Sequence, residues 1–197
     1  DLAINFALHF VNRENIFLSS DSRKILKRGI NKKINTLQRH RLLSHGKVSD
    51  IDLILATLKI IIKKNPKLKY LVYLQPTSPM RKKIQLKKAL EIIEVKNYDS
   101  IWSISKIDKK FHPLKLLNMK KKGIIKLYSS KGRQIIARQQ LGDFYIRNGI
   151  FYIFRISKIL KDKSIYLKNC YGFEIKNKVV NIDNLEDLKL AQKMLRK

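Results

Sequence analysis

Residues 70–81 read YLVYLQPTSPMR, and this stretch gives the clearest indication of the fold class. Its first five residues are apolar or aromatic without interruption, which is typical of a strand buried on both faces of a sheet. Pro76 and Pro79 then fix the backbone angle φ and prevent a helix from running through the loop. Gln75 places an amide donor and acceptor at the strand tip. Because ligands gather at the carboxyl ends of parallel strands, the loop is a candidate binding segment.

The same loop also has a purely structural interpretation. Thr77 and Ser78 are residue types that cap helices, and a helix pattern begins at about residue 84. Taken alone, the loop therefore fits a proline turn followed by a capped helix as well as it fits a binding segment.

Helix patterns alternate with strand patterns on both sides of this stretch. Residues 51–62 carry apolar side chains at helical spacing after Ser49, and Asn65-Pro66 ends that helix. The other predicted helices span residues 2–11, 23–28, 84–95 and 185–195, and the other predicted strands span 15–18, 32–37, 100–104, 150–154 and 179–182. This alternation indicates one α/β domain over residues 1–197 with a mainly parallel sheet.

Residues 106–148 break the alternation. This segment contains short strand patterns and turns, with a hairpin predicted around Lys121-Lys122-Gly123. We interpret it as an insertion or a dimerisation element.

The composition is that of a folded and very basic chain. Lys and Arg total 44 and Asp and Glu total 15, which gives a net charge of +29, while 44% of the 197 residues are hydrophobic, too many for a disordered polycation. The lysines are scattered in short runs along the whole chain. They predict anionic substrates rather than a dedicated nucleic-acid face, where basic and exposed aromatic side chains would cluster.

Other sequence features narrow the function classes. The single cysteine, Cys170, excludes a disulfide within these residues and fits a reducing, cytoplasmic compartment. The first ten residues lack the basic start of a signal peptide, and no apolar stretch is long enough to cross a bilayer. No G-x-G-x-x-G, Walker or H-E-x-x-H motif occurs, and the histidines, including His45, are dispersed.

A second polar segment precedes a buried strand. Residues 138–141 read RQQL and residues 145–152 read YIRNGIFY. Arg138 can clamp a carboxylate with two parallel hydrogen bonds. Asn148-Gly149 also suits a plain turn, and Tyr152 also suits a core position.

The third segment reads VVNIDNLED over residues 179–187. Asp183 comes where a predicted strand ends, and Mg²⁺ prefers one or two protein carboxylates together with substrate phosphate oxygens. Helix capping by Asn184, with Glu186 and Asp187 in the first turn, explains the other polar residues but explains Asp183 less directly.

Taken together and in this order, the segments resemble the acylneuraminate cytidylyltransferases, the family of CMP-sialic acid synthetases and their relatives for legionaminic and pseudaminic acids. The strongest match is LQPTSPMR at residues 74–81, where the family shows L-Q-P-T-S-P-L-R. Residues 138–152 resemble R-Q-Q…N-G-x-x-Y, and NIDNLEDLKLAQ at 181–192 resembles D-I-D-T-x-E-D-L-x-x-A-E. Residues 39–52 and 15–22 match more loosely.

The resemblance implies a three-layer, Rossmann-like nucleotide-diphospho-sugar transferase fold with a small β-rich dimerisation insertion. It implies transfer of CMP from CTP to the anomeric hydroxyl of a nonulosonic acid, with release of pyrophosphate, to give a CMP-sugar for surface glycans. Mg²⁺ is the implied cofactor. The implied assembly is a homodimer, with the region near residues 106–178 exchanging contacts between subunits.

Four residues match positions that contact the sugar acid in this family: Gln75, Arg138, Asn148 and Tyr152. Among them, Arg138 is the expected partner of the carboxylate and an expected catalytic residue.

The nucleotide and the metal are assigned in the same way. Arg39 and Ser49 match positions that touch the nucleotide. Asp183 matches a magnesium-binding aspartate and is the other expected catalytic residue. Asn181 stands where the family commonly has a second aspartate; its carbonyl oxygen can bind a metal but brings no charge.

The chain departs from the family pattern in other places. The family begins with a strand and a basic R-x-G-S-K loop for the CTP triphosphate, and this sequence starts after them, which predicts an N-terminally truncated chain whose sheet lacks a central strand. His40 replaces a proline and Gly46 replaces an aspartate in the nucleotide segment.

The departures keep other function classes open. A related enzyme would transfer the nucleotide to another sugar acid, such as Kdo. A degenerate relative would only bind partners or dimerise. A basic nucleic-acid-binding protein is the remaining class, and it would bind arbitrary DNA with a steep salt dependence.

Overall fold

A computed structural model describes residues 1–44 and 48–196, and these alternate between helices and strands. The helices are α1 (Leu2–Ala7), α2 (Arg23–Asn31), α3 (Asp50–Lys64), α4 (Lys83–Val95), α5 (Ile156–Asp162) and α6 (Leu185–Leu195). The strands are β1 (Phe17–Ser20), β2 (Asn35–Gln38), β3 (Tyr70–Tyr73), β4 (Ser100–Lys106), β5 (Leu117–Met119), β6 (Ile125–Leu127), β7 (Tyr145–Arg155) and β8 (Cys170–Glu174).

The central sheet has the strand order β3-β7-β4-β8. Strand β7 runs antiparallel to β3 and β4, whereas β8 runs parallel to β4, so β3, β4 and β8 share one direction. A separate parallel pair is formed by β1 and β2. The predicted α/β fold with parallel strands is confirmed, and the reversed direction of β7 is an addition to it.

Helices cover both faces of the central sheet. On one face Phe6 of α1 and Leu86 of α4 pack against β4 and β7. On the other face Leu58 of α3 and Ile159 of α5 pack against Phe154 of β7. The sheet is thus the middle of three layers, and burying apolar side chains from both sides stabilises it.

Helix α3 forms where the apolar spacing predicts it. The Ser49 hydroxyl accepts a hydrogen bond from the Asp52 N–H and caps the first turn. Ile54, Leu58 and Ile61 are its buried residues. The helix ends at Lys64, with Asn65 extended before Pro66 because proline disfavours helical geometry in the residue before it.

In the last third of the chain, one predicted element is absent and two observed elements have no counterpart in the sequence prediction. Residues 179–182 do not form a strand, whereas β8 and α5 were not predicted. Strand β8 pairs along one side only and has a glycine in its middle, so its sequence, CYGFE, lacks the apolar run of a central strand.

Residues 107–144, between β4 and β7, form an arm of short elements; this agrees with the short strands and turns predicted over 106–148, except that residues 145–148 belong to β7. Strands β5 and β6 make an antiparallel hairpin whose turn places Lys122 and Gly123 at positive φ. Many apolar side chains of this arm are exposed, including Met119, Ile125 and Ile136, the last at 93%. Within residues 1–44 and 48–196, none of the helices combines the length and hydrophobicity needed to span a bilayer.

Candidate active site at the carboxyl edge of the sheet

The loop that follows β3 is fixed by its own backbone and by a buried serine. The Ser78 N–H donates to the Gln75 carbonyl at 3.1 Å and closes a tight turn. The Ser78 side chain is 0% exposed and donates to Asn181 Oδ1 at 2.7 Å. Helix α4 begins at Lys83 with Lys82 at its N-cap and no side-chain cap, so capping by Thr77 and Ser78 is not the role of these residues.

Strand β7 carries a large β-bulge beside this loop. Tyr152 pairs with Trp102 and Arg147 pairs with Ile104, so the four residues from Asn148 to Phe151 lie opposite Ser103 alone. Such bulges redirect side chains and are common next to active sites.

The side chain of Asn148 stabilises the bulge through two hydrogen bonds. Its side chain donates to Ser105 Oγ at 2.9 Å and accepts from the Ile150 N–H at 3.2 Å, and the residue is 4% exposed. Its amide therefore stabilises the strand, and its predicted contact with a sugar acid stays a prediction.

Gly149 is the point at which the loop, the bulge and the segment after β8 meet. A Cβ atom at this position would lie 2.5 Å from Gln75 Oε1, 2.5 Å from Ser78 Oγ and 3.4 Å from Asn181 Oδ1. The residue also adopts a φ of 71°, which glycine tolerates and side-chain-bearing residues rarely do. The structure therefore brings Gln75 and Asn181, two of the predicted site residues, to one place.

The variant Gly149→Ala is expected to lose about 2–4 kcal/mol of unfolding free energy, because alanine is strained at positive φ and its methyl group overlaps two side chains. Chemical denaturation measures this loss. Gly142→Ala is the matched control, since apart from its chain neighbours none of the described residues lies within 4 Å of its added Cβ. Equal stability of the two variants would show that the loop can move away from Gly149 without cost.

The hydrogen bond from the Ser78 hydroxyl to Asn181 Oδ1 is expected to help attach the segment after β8 to the loop, together with the backbone hydrogen bond from the Ile182 N–H to the Thr77 carbonyl. Ser78→Ala leaves Asn181 Oδ1 without this donor in a closed environment, and a loss of about 1–3 kcal/mol follows. Thermal unfolding compares it with Ser157→Ala, whose serine is exposed on α5. Identical melting of the two variants would contradict a structural role for Ser78.

Asp183 lies at the end of this segment. The neighbouring Ile182 N–H donates to the Thr77 carbonyl at 2.8 Å, which holds Asp183 beside the loop. Asn184 caps α6 in a reciprocal box with Asp187, as the capping interpretation predicted. Asp183 itself is exposed, and its carboxylate has no hydrogen-bond partner among the described residues.

The oxygen ligands available at Asp183 suit a metal ion whose other ligands come from the phosphates of the substrate and from water. Within residues 1–44 and 48–196, no three His, Cys, Asp or Glu side chains are close enough to hold a metal ion by themselves. A magnesium ion bound largely by phosphate and water needs only one or two protein carboxylates. The free Asp183 carboxylate meets that need, whereas Asn181 Oδ1 already accepts from Ser78.

The residues predicted to contact the nucleotide, Arg39 and Ser49, lie next to β2 and α3. Arg39 follows β2, and its guanidinium forms an ion pair with Asp21 at 3.1 Å. Ser49 caps α3, and its hydroxyl also donates to Asp52 Oδ2 at 2.6 Å. His45 and Gly46 lie outside the described residues.

Next to the nucleotide residues, two tyrosines form an aromatic wall. The Tyr73 hydroxyl lies 3.5 Å from Asp50 Oδ1, and burial together with that carboxylate raises the pKa of Tyr73 to about 12, so it stays protonated. Tyr152 stacks on Tyr73 with ring centroids 6.2 Å apart. Tyr152 is 8% exposed, and burial raises the pKa of its phenol.

Arg138 is the predicted residue that the structure does not bring to this group. It lies on a 3-10 turn of the arm, at Arg138–Gln140, and its exposed guanidinium pairs with Asp108 at 3.2 Å. Among the described residues, no hydrogen bond or ion pair connects it to Gln75 or Asp183.

The sequence analysis assigned no role to Arg81 or Arg147. It offered helix capping for Ser78, which the structure does not show. The Arg81 Nε–H donates to the Ile150 carbonyl at 2.7 Å, and its Nη2 donates to the Gln75 carbonyl, so it connects the loop to β7. In the sequence, Arg81 precedes Lys82-Lys83 and looks like one more surface cation. The only signal was its place at the end of the LQPTSPMR stretch.

We call the region formed by the loop after β3, the bulge of β7 and the segment 181–183 the carboxyl edge. At this edge a glycine, amide side chains and an exposed carboxylate meet, and the tyrosines of the aromatic wall lie on β3 and β7, the strands that lead to it. This arrangement is a candidate ligand site at the place where α/β sheets bind ligands.

Solved structures show which class of protein has this fold. A CMP:2-keto-3-deoxy-manno-octonic acid synthetase complexed with CTP aligns with a TM-score of 0.67 and 10% identity over 99% of this chain and 86% of its own. HddC from Yersinia pseudotuberculosis aligns with a TM-score of 0.59 and 14% identity over 98% of this chain and 83% of its own. The chain has the Rossmann-like fold of nucleotide-sugar transferases.

Sequence comparison gives more particular relatives. N-acylneuraminate cytidylyltransferase from Streptococcus agalactiae serotype III (strain NEM316) is 27% identical over 179 residues, which are 89% of this chain and 41% of the relative. The protein of the same name from serotype V (strain ATCC BAA-611 / 2603 V/R) is 26% identical over the same shares. No family model matches the chain. The aligned residues span less than half the length of these curated relatives. The similarity confirms the predicted resemblance to the cytidylyltransferases.

Proposed function

We propose that this protein transfers CMP from CTP to the anomeric hydroxyl of a nonulosonic acid and releases pyrophosphate. The observation that carries the proposal is the convergence of Gln75, Gly149 and Asn181 at the carboxyl edge, with Asp183 next to them. The similarity in sequence to proteins named N-acylneuraminate cytidylyltransferase, and in fold to a synthetase complexed with CTP, supports the same chemistry.

The reaction needs positioning more than covalent help from the protein. The anomeric oxygen forms a bond to the α-phosphorus of CTP, the bond between that phosphorus and the bridging oxygen to the β-phosphate breaks, and the hydroxyl proton passes to solvent. Holding both substrates in line lowers the barrier. Gln75 and Tyr152 would orient the sugar acid, and Arg39 and Ser49 would contact the nucleotide.

Magnesium is part of this proposal. Asp183 would hold the ion, with Asn181 beside it, and the ion would neutralise charge on the phosphates. The chain's own contribution is to fix Asp183 next to the loop, through the hydrogen bond from the Ile182 N–H to the Thr77 carbonyl.

We further propose that the active form is a cytoplasmic homodimer assembled through the arm. The exposed side chains of Met119, Ile125 and Ile136 give the arm an apolar surface of the kind that marks interaction sites. The same assembly would carry Arg138, which lies on the arm, toward a neighbouring subunit.

A pyrophosphate-release assay tests the proposal. It uses protein expressed from the complete reading frame, with CTP, Mg²⁺ and a panel of sialic, legionaminic, pseudaminic and Kdo acids. Release that depends on both CTP and one acid supports the enzyme and identifies its sugar. Mg²⁺-dependent CTP binding without release would favour a degenerate relative, and DNA binding with a steep salt dependence would favour a nucleic-acid-binding protein.

A further inference from the structure

Arg147 is an exposed cation beside the candidate site. Within residues 1–44 and 48–196, no carboxylate forms an ion pair with it, and its guanidinium donates no hydrogen bond. The neighbouring arginines differ, because Arg39 and Arg138 are paired with aspartates and Arg81 donates to backbone carbonyls. The guanidinium of Arg147 therefore has its donors available to a ligand.

The bulge of β7 determines where this side chain points. Residues 147 and 152 are five positions apart, so in a regular strand they would face opposite sides of the sheet. Here Tyr152 lies opposite Trp102 and Arg147 lies opposite Ile104. Trp102 and Ile104 are alternate residues of β4 and share a face, so the bulge brings Arg147 to the face that carries Tyr152.

Aromatic rings hold Arg147 in place. Its guanidinium carbon is 5.3 Å from the ring centroid of Trp102 and 5.9 Å from that of Tyr166. Trp102 in turn packs edge-on against Tyr152, with centroids 6.0 Å apart. A cation–π contact uses the face of the guanidinium and leaves its in-plane N–H groups free for a bidentate contact with a carboxylate.

We infer that Arg147 binds the carboxylate of the sugar acid through two parallel hydrogen bonds, an inference that rests on the proposed function. Arg147 directly precedes Asn148 and shares the aromatic neighbour Trp102 with Tyr152. The family resemblance predicts that both Asn148 and Tyr152 contact the sugar acid. The positive charge of Arg147 also opposes the increase that burial causes in the pKa of Tyr152, so the two groups interact electrostatically. Arg138 is held by Asp108 on the arm.

The test compares the sugar acid with its methyl ester, which lacks the negative charge. In the wild type, we expect the KM of the ester to exceed that of the acid about 10- to 100-fold, the effect of losing charge-assisted hydrogen bonds. Arg147→Gln should raise the KM of the acid by a similar factor, leave the KM of CTP unchanged and remove the discrimination against the ester. Arg147→Lys should restore only part of it, because lysine lacks the planar fork.

Two further variants make the outcome decisive. Arg23→Gln removes an equal charge from an exposed position on α2 and should keep the discrimination. Arg138→Gln tests the other candidate for the carboxylate. If Arg147→Gln still prefers the acid, the inference is overturned whatever Arg138→Gln does, and a raised KM for CTP in Arg147→Gln would assign Arg147 to phosphate instead.

A binding measurement separates this inference from the proposed function. Trp102 is the one tryptophan of these 197 residues, and its fluorescence should change when a ligand contacts Arg147. Titration without CTP, with Trp102→Phe as the background, gives the affinity for acid and ester even if no pyrophosphate is released. Equal binding of acid and ester by the wild type would overturn the inference, whereas inactivity combined with acid-selective binding would contradict only the proposed reaction.

Discussion

Asp183→Ala is expected to slow pyrophosphate release on the order of a thousandfold, because a metal ion contributes several kcal/mol of charge stabilisation in phosphoryl transfer. The side chain is exposed and its carboxylate makes no hydrogen bond with the described residues, so the variant should keep its melting temperature. Steady-state kinetics at saturating CTP, over a range of Mg²⁺ concentrations, measures the effect.

The control for this change is Asp162→Ala, which removes another exposed carboxylate, at the end of α5. It should retain wild-type turnover. If Asp183→Ala lost no more activity than Asp162→Ala, Asp183 would have no role in binding the metal, and the alignment of residues 181–192 with the family pattern would lose its functional meaning.

Arg81→Met is expected to lose about 3 kcal/mol of unfolding free energy, which corresponds to a decrease in Tm of roughly 6–12 °C for a domain of this size. Burial lowers the pKa of the Arg81 guanidinium to about 10, still well above neutral pH, so the side chain is charged when it donates to the Gln75 and Ile150 carbonyls. Methionine fills similar space without a donor, so the Ile150 carbonyl loses its arginine partner and the Gln75 carbonyl keeps only the Ser78 N–H.

The functional consequence of the same change concerns the sugar acid. Because Arg81 connects the loop to the bulge, its loss should also raise the KM for the acid through a displaced Gln75. Arg23→Met provides the comparison, since Arg23 is exposed at the start of α2. Equal melting temperatures for the two variants would show that the hydrogen bonds of Arg81 do not stabilise the loop after β3.

The parts of the fold that could be predicted are those with a strong local pattern. The apolar stripe of α3, the continuous apolar run of β3 and the cap at Asn184 each carry their signal within a few residues. The direction of β7 carries no such signal, because it depends on the path that the arm takes between β4 and β7. Strand β8 is short and has apolar neighbours on one side only, so its composition resembles a loop.

In the candidate site, too, features with a local sequence signal could be predicted and long-range contacts could not. The motif at residues 74–81 predicted a ligand loop, and the structure brings Gln75 to Gly149 and Asn181. The roles of Ser78 and Arg81 depend on partners 103 and 69 positions away, and no local pattern encodes such contacts. The position of Arg147 depends on a bulge that changes the register of β7, which a two-residue strand period does not predict.

Phosphorus NMR of a reaction mixture is the measurement that detects transfer of a cytidylyl group to a sugar acid, the reaction proposed for the carboxyl edge. The mixture contains the complete protein, CTP, Mg²⁺ and the acid that the panel selects. We expect a phosphodiester signal and free pyrophosphate to appear together in equal amounts, and only when the acid is present. Unchanged CTP, or hydrolysis to CMP without a phosphodiester, would show that the protein does not transfer CMP to the acid.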